Sequence, residues 1–139
     1  MKWCRVAIGT LFTVVTLSYS AEPQKEPMEK DVAVRYFEAL TGGDVGKANE
    51  LSATPYSFDG KETLTKKAQV EEKHRTIIAD KGKREVPKYT VTVPPNPDKL
   101  DLAVFPKYVV YRFNIAGGDK HVDIYVKTGE DPKVIGFRD

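Results

Sequence analysis

The sequence is poor in the residues on which disulfide, thiol and metal chemistry depend. Its 139 residues include one cysteine, Cys4, and two histidines, His74 and His121, which lie far apart along the chain. A single cysteine cannot form a disulfide within the chain, and the two histidines lack the spacing of a zinc site. We therefore expect neither a metal site nor a cofactor.

Motifs of several enzyme classes are also missing. The chain contains no Gly-x-Ser-x-Gly turn to present a nucleophilic serine, and no glycine loop to bind phosphate. Charge of one sign does not dominate either, because 22 basic residues are balanced by 20 acidic ones. Such a balance argues against a nucleic-acid partner. No motif therefore identifies a catalytic residue.

The N-terminal segment has the pattern of a secretory signal peptide. Lys2 and Arg5 are followed by the uncharged run Val6 to Leu17, and small side chains stand at Ser18 and Ser20. A basic start, a short apolar stretch and small residues just before a cleavage point are the parts of such a signal. The run is shorter than the roughly 20 apolar residues of a membrane span. We therefore expect cleavage after Ser20, export to the periplasm or the extracellular space, and no membrane span in the mature protein.

The rest of the chain is long enough for one domain. Residues 21–27 are polar and predict a flexible leader, while residues 28–139 predict a single domain with a modest core. Loss of Lys2 and Arg5 with the signal would bring the formal net charge from +2 to zero.

The last third of the chain predicts an antiparallel meander. Residues 108–115 and 120–127 alternate between apolar and polar side chains around Gly117-Gly118, a pair suited to a tight turn. In the register set by that turn, Arg112 faces Asp123, so one sheet face is apolar and the other is partly charge-matched. A third strand follows a turn at residues 129–132 and adds two neighbouring pairs: Ile135 with Val126, and Phe137 with Ile124.

The first part of the chain predicts helices. Met28 to Leu40 has its apolar residues on one arc and ends at Gly42-Gly43, and Asp44 caps a short second helix. That helix runs to Leu51, and Thr63 to Lys81 predicts the longest helix. Two short strands complete the pattern, an edge strand at Tyr56 to Phe58 and another at Tyr89 to Val93. Helices followed by an antiparallel sheet predict an α+β fold with the helices on one face.

The third helix carries charged residues in the middle of its apolar side. Lys67, Glu71 and His74 lie there, with Arg75 at one margin. A helix packed flat on a full core would not usually bury these side chains, so they are unexpected at this position. Glu71 is one helical turn from both His74 and Arg75 and can pair with either.

A resemblance to a known family accompanies this pattern. The motif Phe37-x-Ala39-Leu40-x-x-Gly43-Asp44 resembles the opening of the nuclear-transport-factor-2-like superfamily, which includes SnoaL-like and ketosteroid-isomerase-like proteins. The order of helices and the final Val134-Ile-Gly-Phe137 strand are similar too. The resemblance implies a cone-shaped roll, with N-terminal helices on one face of a curved antiparallel sheet and a cavity between them. It also implies frequent dimerisation through the sheet, but it implies no particular function.

Two sets of residues are candidates for contact with other molecules. The cavity candidates are Glu71, His74, Arg75, Tyr36 and Tyr111. The interface candidates, on the opposite face of the sheet, are Tyr108, Val110, Arg112, His121, Asp123 and Tyr125. A half-buried structural histidine and a solvated sheet face are the simpler interpretations of these two sets.

The sequence is therefore compatible with three functions. The first is an exported, non-catalytic domain that binds a small molecule or peptide, or docks to a partner. The second is a small isomerase-, cyclase- or dehydratase-like enzyme that uses His74 with Glu71. The third is a structural homodimer whose interface includes Arg112 and Asp123. The isomerase members' acidic base and oxyanion-hole pair have no residue-by-residue match in this chain.

Overall fold

A computed structural model describes residues 27–79 and 84–139 of the protein. The predicted signal peptide, its cleavage point and nearly all of the predicted leader lie outside the described residues, as does the predicted end of the third helix. None of the described helices is both long enough and apolar enough to cross a membrane.

The first two helices begin and end close to where the sequence predicts. Helix α1 spans Met28–Gly42 and ends at Gly43, which has a φ of 87° and donates its backbone N–H to Ala39 O at 3.1 Å. Helix α2 spans Val45–Glu50. The Asp44 carboxylate accepts a hydrogen bond from the Lys47 backbone N–H at 3.0 Å and so caps this helix.

Helix α3 begins later than predicted. Its described part spans Lys67–Ala79. Thr63 and Leu64, which were predicted to open the helix, belong instead to strand β2 (Glu62–Leu64). Pairing with the preceding strand buries Leu64, and the Gln69 side chain then accepts the Lys66 N–H at 3.1 Å near the start of the helix.

The sheet has six strands and one parallel pair. The other strands are β1 (Ser52–Phe58), β3 (Tyr89–Thr92), β4 (Tyr108–Ile115), β5 (His121–Lys127) and β6 (Val134–Arg138). Their order is β2-β1-β6-β5-β4-β3. Strand β1 is paired on both sides and lies parallel to β6, so the expectations of a brief edge strand and of a wholly antiparallel sheet are wrong. The α+β class, with helices packed on a curved and unclosed sheet, is confirmed.

The register of the central hairpin is confirmed. Arg112 pairs with Asp123 and Asn114 with His121, as the turn at Gly117-Gly118 requires. Gly117 has a φ of 93°, a conformation that costs glycine little and other residues more. The hairpin thus fixes which side chains of β4 and β5 face the helices.

The pairing of the last strand departs from the prediction at one position. Phe137 pairs with Ile124 as expected, but Val126 pairs with Val134, because the register shifts by one residue between Tyr125 and Val126. The shift turns Ile135 to the opposite face of the sheet, where it is buried. The expectation that Ile135 lies beside Val126 on the helix-covered face is therefore wrong.

The core lies between the helices and one face of the sheet. Phe37 of α1 stacks on Phe113 of β4, with ring centroids 4.5 Å apart, and neither side chain is more than 1% exposed. Ile124, Val126 and Val134 fill the centre of the same cluster. This packing positions the inward sides of α1 and α3 against the sheet.

The other face of the sheet is covered by residues 93–107, which we call the outer strap. Phe105 of the strap is 6% exposed and packs in a second apolar cluster with Val110 and Tyr125. The Tyr125 hydroxyl donates to the backbone oxygen of Asp98 at 2.6 Å. The strap therefore takes the position that was expected to be solvated or to meet a second copy.

Candidate functional site

Four polar side chains from four elements meet inside the core. Tyr36 of α1, Asn49 of α2, Tyr56 of β1 and His74 of α3 form a chain of hydrogen bonds that we call the tyrosine–histidine cluster. The Tyr36 hydroxyl lies 2.7 Å from His74 Nε2, and Asn49 Oδ1 lies 2.6 Å from His74 Nδ1. The hydroxyls of Tyr36 and Tyr56 are also hydrogen-bonded to each other.

The hydrogen-bond roles in this cluster follow from the acceptor at one end. An amide oxygen can only accept, so His74 Nδ1 carries a hydrogen and donates it to Asn49. Neutral His74 then has a bare Nε2, which accepts the Tyr36 hydroxyl. The Tyr36 oxygen in turn accepts the Tyr56 hydroxyl. Every polar atom that points into the cluster has a partner.

Burial keeps the cluster uncharged near neutral pH. His74 is 1% exposed, and burial lowers its pKa from 6.5 to about 4. Burial likewise raises the pKa of Tyr36 and of Tyr56 well above the ordinary value of 10. A histidine with such a pKa and two occupied nitrogens is a poor base, so the arrangement favours a role in joining the elements.

The structure brings only two of the five cavity candidates into this cluster. Tyr36 and His74 meet, and Tyr111 is buried elsewhere in the same core. Glu71 is at the surface, with a side chain 34% exposed and 3.9 Å from Lys67. Arg75 is exposed beside Glu72, at 3.5 Å, and is not in the core.

Sequence reasoning missed two members of the cluster. Tyr56 was assigned to an edge strand, although β1 is paired on both sides and Tyr56 is 1% exposed. Asn49 was not singled out, yet it follows the inward-facing Ala48 on α2 and is half-buried. Tyr56 and Asn49 each contact residues that are distant in sequence, so spacing could not identify them. The only signal in the sequence was a polar residue next to an inward-facing one.

A larger space lies between α1, α3 and the sheet, and we call it the main cavity. Its volume is about 420 Å³, and its floor is apolar. The floor includes Phe37, Phe58, Ile77, Ile78, Ile115 and Phe137. None of the five cavity candidates named from the sequence lines it, because they lie deeper in the core or at the surface.

Charged residues surround the mouth of the main cavity. Asp59, Glu85 and Asp139 carry negative charge, and Arg84 and Lys120 carry positive charge. Asp59 has a φ of 52° and is held by two hydrogen bonds, from its own N–H to Phe137 O at 2.8 Å and from the Asp139 N–H to its carboxylate at 2.9 Å. The mouth thus includes a fixed carboxylate at the end of β1.

The interface candidates divide into covered and accessible residues. Val110 and Tyr125 are 5% and 2% exposed beneath the outer strap, so a second copy cannot reach them while the strap is in place. Tyr108 is half-buried, and its hydroxyl accepts the Leu100 N–H at 2.8 Å. Arg112 and buried Asp123 form a two-bonded ion pair, at 2.8 and 3.0 Å.

The remaining interface candidate, His121, is exposed next to Asn114 at the hairpin end. The hydrogen bond with Asp123 raises the pKa of Arg112 above its ordinary value, so the pair remains ionised.

Among the described residues, no group of three or more histidine, cysteine or acidic side chains could hold a metal ion. Dimerisation through the sheet stays a prediction.

No protein-family model and no curated protein matches this chain. Two solved structures are similar in fold. An NTF2-like protein of unknown function from Cytophaga hutchinsonii ATCC 33406 is 8% identical, with a TM-score of 0.41 over 83% of this chain and 90% of that one. A hypothetical protein with a ketosteroid isomerase-like fold from Catenulispora acidiphila DSM 44928, in complex with trimethylamine, is 14% identical, with a TM-score of 0.39 over 78% and 82%. Both descriptions name the fold that the sequence resembles.

Proposed function

We propose that the protein is an exported, non-catalytic binding domain that holds a small molecule with an apolar body in the main cavity. The observation that supports this function is the cavity itself, with about 420 Å³ of space above an apolar floor. Ligand sites in proteins have volumes of roughly 300–1,000 Å³ and are lined mostly by apolar and aromatic side chains.

The floor favours a ligand with a ring or a branched chain. Phe58 and Phe137 stack at 5.9 Å between ring centroids, and Phe37 approaches from α1. Ile77 and Ile78 cover the space from α3. The charged residues at the mouth would hold a polar group of the ligand near water while its apolar part is buried.

The absence of an activated group on the floor favours binding over catalysis. His74, which is the histidine that a catalytic function would use, does not line the main cavity, and its pKa of about 4 leaves it neutral. Its two ring nitrogens are occupied by Tyr36 and Asn49. An isomerase-like reaction at His74 with Glu71 would need those bonds to open and a substrate to enter the core.

The proposal can be tested with anilinonaphthalene sulfonate, a probe with an apolar ring system and one negative charge. Ile77→Trp would fill the cavity from the α3 side, so we expect it to weaken binding at least about tenfold in isothermal titration calorimetry. Leu102→Trp is the matched control, because Leu102 is 69% exposed on the outer strap and does not line the cavity. Equal affinities of both variants and the unaltered protein would contradict binding in the main cavity.

The natural ligand can be sought in protein purified from its own compartment. Native mass spectrometry is expected to show an added mass on the protein from the exported fraction, and that mass should be lost in Ile77→Trp. The same measurement gives the N-terminal residue and the copy number. Protein that retains residues 1–20 and carries no added mass would count against export and against binding.

A further inference from the structure

A second, smaller space lies at the other end of α3, and we call it the side cavity. It is bounded by α2, β1 and the first turns of α3, and its volume is about 220 Å³. At roughly 30 Å³ per water molecule in the liquid, this space corresponds to about seven waters. A ligand here would have to be much smaller than one in the main cavity.

The Asn49 side chain, which lines the side cavity, has a fixed orientation. The Asn49 Oδ1 atom accepts a hydrogen bond from buried His74 at 2.6 Å, so the amide is held in one orientation. Its Nδ2 group makes no hydrogen bond to any residue in the described part of the chain, and Asn49 lines the side cavity. Two N–H hydrogens are therefore available to an acceptor in that space.

The opposite wall supplies an acceptor. Glu71 lines the side cavity with a side chain that is 34% exposed, and Lys67 lies 3.9 Å from its carboxylate. The two charges offset each other, so the site as a whole is close to neutral. A neutral site with one donor wall and one acceptor wall favours a dipolar, uncharged ligand over an ion.

We infer that the side cavity is a binding site for a small uncharged molecule that carries a carboxamide. The carbonyl oxygen of the ligand accepts from Asn49 Nδ2, and its N–H donates to the Glu71 carboxylate. Val70, which is 3% exposed, forms an apolar base for a short alkyl group. This site does not depend on a ligand in the main cavity, because the two spaces share no lining residue.

The site was partly foreseen from the sequence. Glu71 was a cavity candidate, and it does border a cavity, but a different one from that between the long helix and the sheet. Its partner across the space is Asn49 of α2, which the helical pattern alone did not identify. The buried His74 has an indirect part, because it orients the Asn49 amide.

The test uses propionamide as the probe and two-dimensional amide NMR of the uniformly labelled protein. We expect saturable shifts in residues 49–54 and 67–71, with a dissociation constant in the millimolar range for so small a molecule. Glu71→Leu removes the acceptor and should weaken binding by about tenfold. Glu72→Leu is the matched control, since Glu72 is exposed and does not line the side cavity, and its affinity should stay within about twofold.

Two further measurements complete the test. Thr54→Leu would add bulk next to the side cavity on the helix-facing side of β1, and it should abolish the shifts while leaving the rest of the spectrum in place. Propionate and propylammonium, which match propionamide in size but carry a charge, should bind more weakly. Shifts confined to the main cavity, equal losses in Glu71→Leu and Glu72→Leu, or stronger binding of either ion would each overturn the inference.

Discussion

The hydroxyl of Tyr36 and the Nε2 atom of His74 lie 2.7 Å apart, and this bond joins α1 to α3 across the core. Tyr56 extends the bond to β1, and Asn49 extends it to α2. Four elements that the apolar core alone would hold at approximate angles are thus fixed by directional contacts. Among substitutions in the core, replacement of a polar residue of this cluster should therefore lower the free energy of unfolding most.

Replacement of His74 by phenylalanine should lower the free energy of unfolding by about 2–4 kcal/mol. The ring volume is nearly kept, but the Tyr36 hydroxyl and the Asn49 oxygen lose their partner. Urea denaturation followed by circular dichroism measures the change. Arg75→Ala, on the exposed side of the same helix, is the control and should change stability by less than about 0.5 kcal/mol. Similar effects of the two substitutions would show that the bonds to His74 contribute little.

Stability should fall as the pH is lowered through the acid range. The folded-state pKa of His74 is about 4 and the ordinary value is 6.5, so between these pH values the unfolded chain binds the additional proton. Stability from this residue is therefore complete above pH 6.5 and is lost towards pH 4, by at most about 3 kcal/mol. Urea midpoints at several pH values measure the slope. His74→Phe should flatten it, because this variant has no side chain at position 74 that binds a proton.

The ion pair of Arg112 and Asp123 should contribute far more than the surface pairs. Asp123 is 5% exposed and accepts two bonds from the guanidinium, so Asp123→Ala should cost about 2 kcal/mol. The matched control is Asp131→Ala, which removes a 4.0 Å pair with Lys133 at a side chain 79% exposed. That control should cost less than about 0.5 kcal/mol. Thermal melts of both variants under one buffer condition provide the comparison, and equal melting temperatures would contradict it.

The two glycines of the central hairpin should respond differently to the same substitution. Gly117 has a φ of 93°, and Gly117→Ala should cost about 1 kcal/mol because alanine is strained there. Gly118 has no such φ, and an added methyl group would approach nothing closer than 4.0 Å, so Gly118→Ala should be nearly neutral or slightly stabilising. Urea unfolding distinguishes them. If Gly118→Ala proved the more damaging, the turn would have been assigned to the wrong glycine.

The central hairpin was predictable because its information is local. Alternation on both sides of Gly117-Gly118 sets one register, and a shift by one residue would have moved Phe113 and Val122 out of the core. The last strand was harder. Its register changes by one residue at Ile135, and a bulge of that kind leaves no mark in an alternating sequence.

Two other features depend on contacts between distant parts of the chain. The side chain of Thr63 is compatible with either a helix or a strand. Thr63 lies in a strand because it pairs with Ser57 of β1. The outer strap contains four prolines and an ambiguous apolar stretch, so the sequence indicated a loop and not a cover for the sheet. In both cases tertiary contacts override local preference.

The candidate site was predictable only in outline. A polar residue in the middle of the inward side of α3 identified His74 as unusual, and the structure places it fully in the core. Its partners could not be read from spacing, since Tyr36 and Asn49 are 38 and 25 residues away. The expected cavity exists between α3 and the sheet, but its lining comes from Ile77 and Ile78, one turn beyond the residues that suggested it.

The parallel pairing of β1 with β6 has a consequence for biosynthesis. β1 is made early, but its neighbour β6 is the last of the described strands to leave the ribosome. Until then the backbone N–H and C=O groups along one edge of β1 have no hydrogen-bond partners. Such an open edge readily pairs with a strand of another chain. The nascent protein therefore needs β6 to cover the open edge of β1. A truncation that removes β6 should yield aggregates and not a smaller folded product.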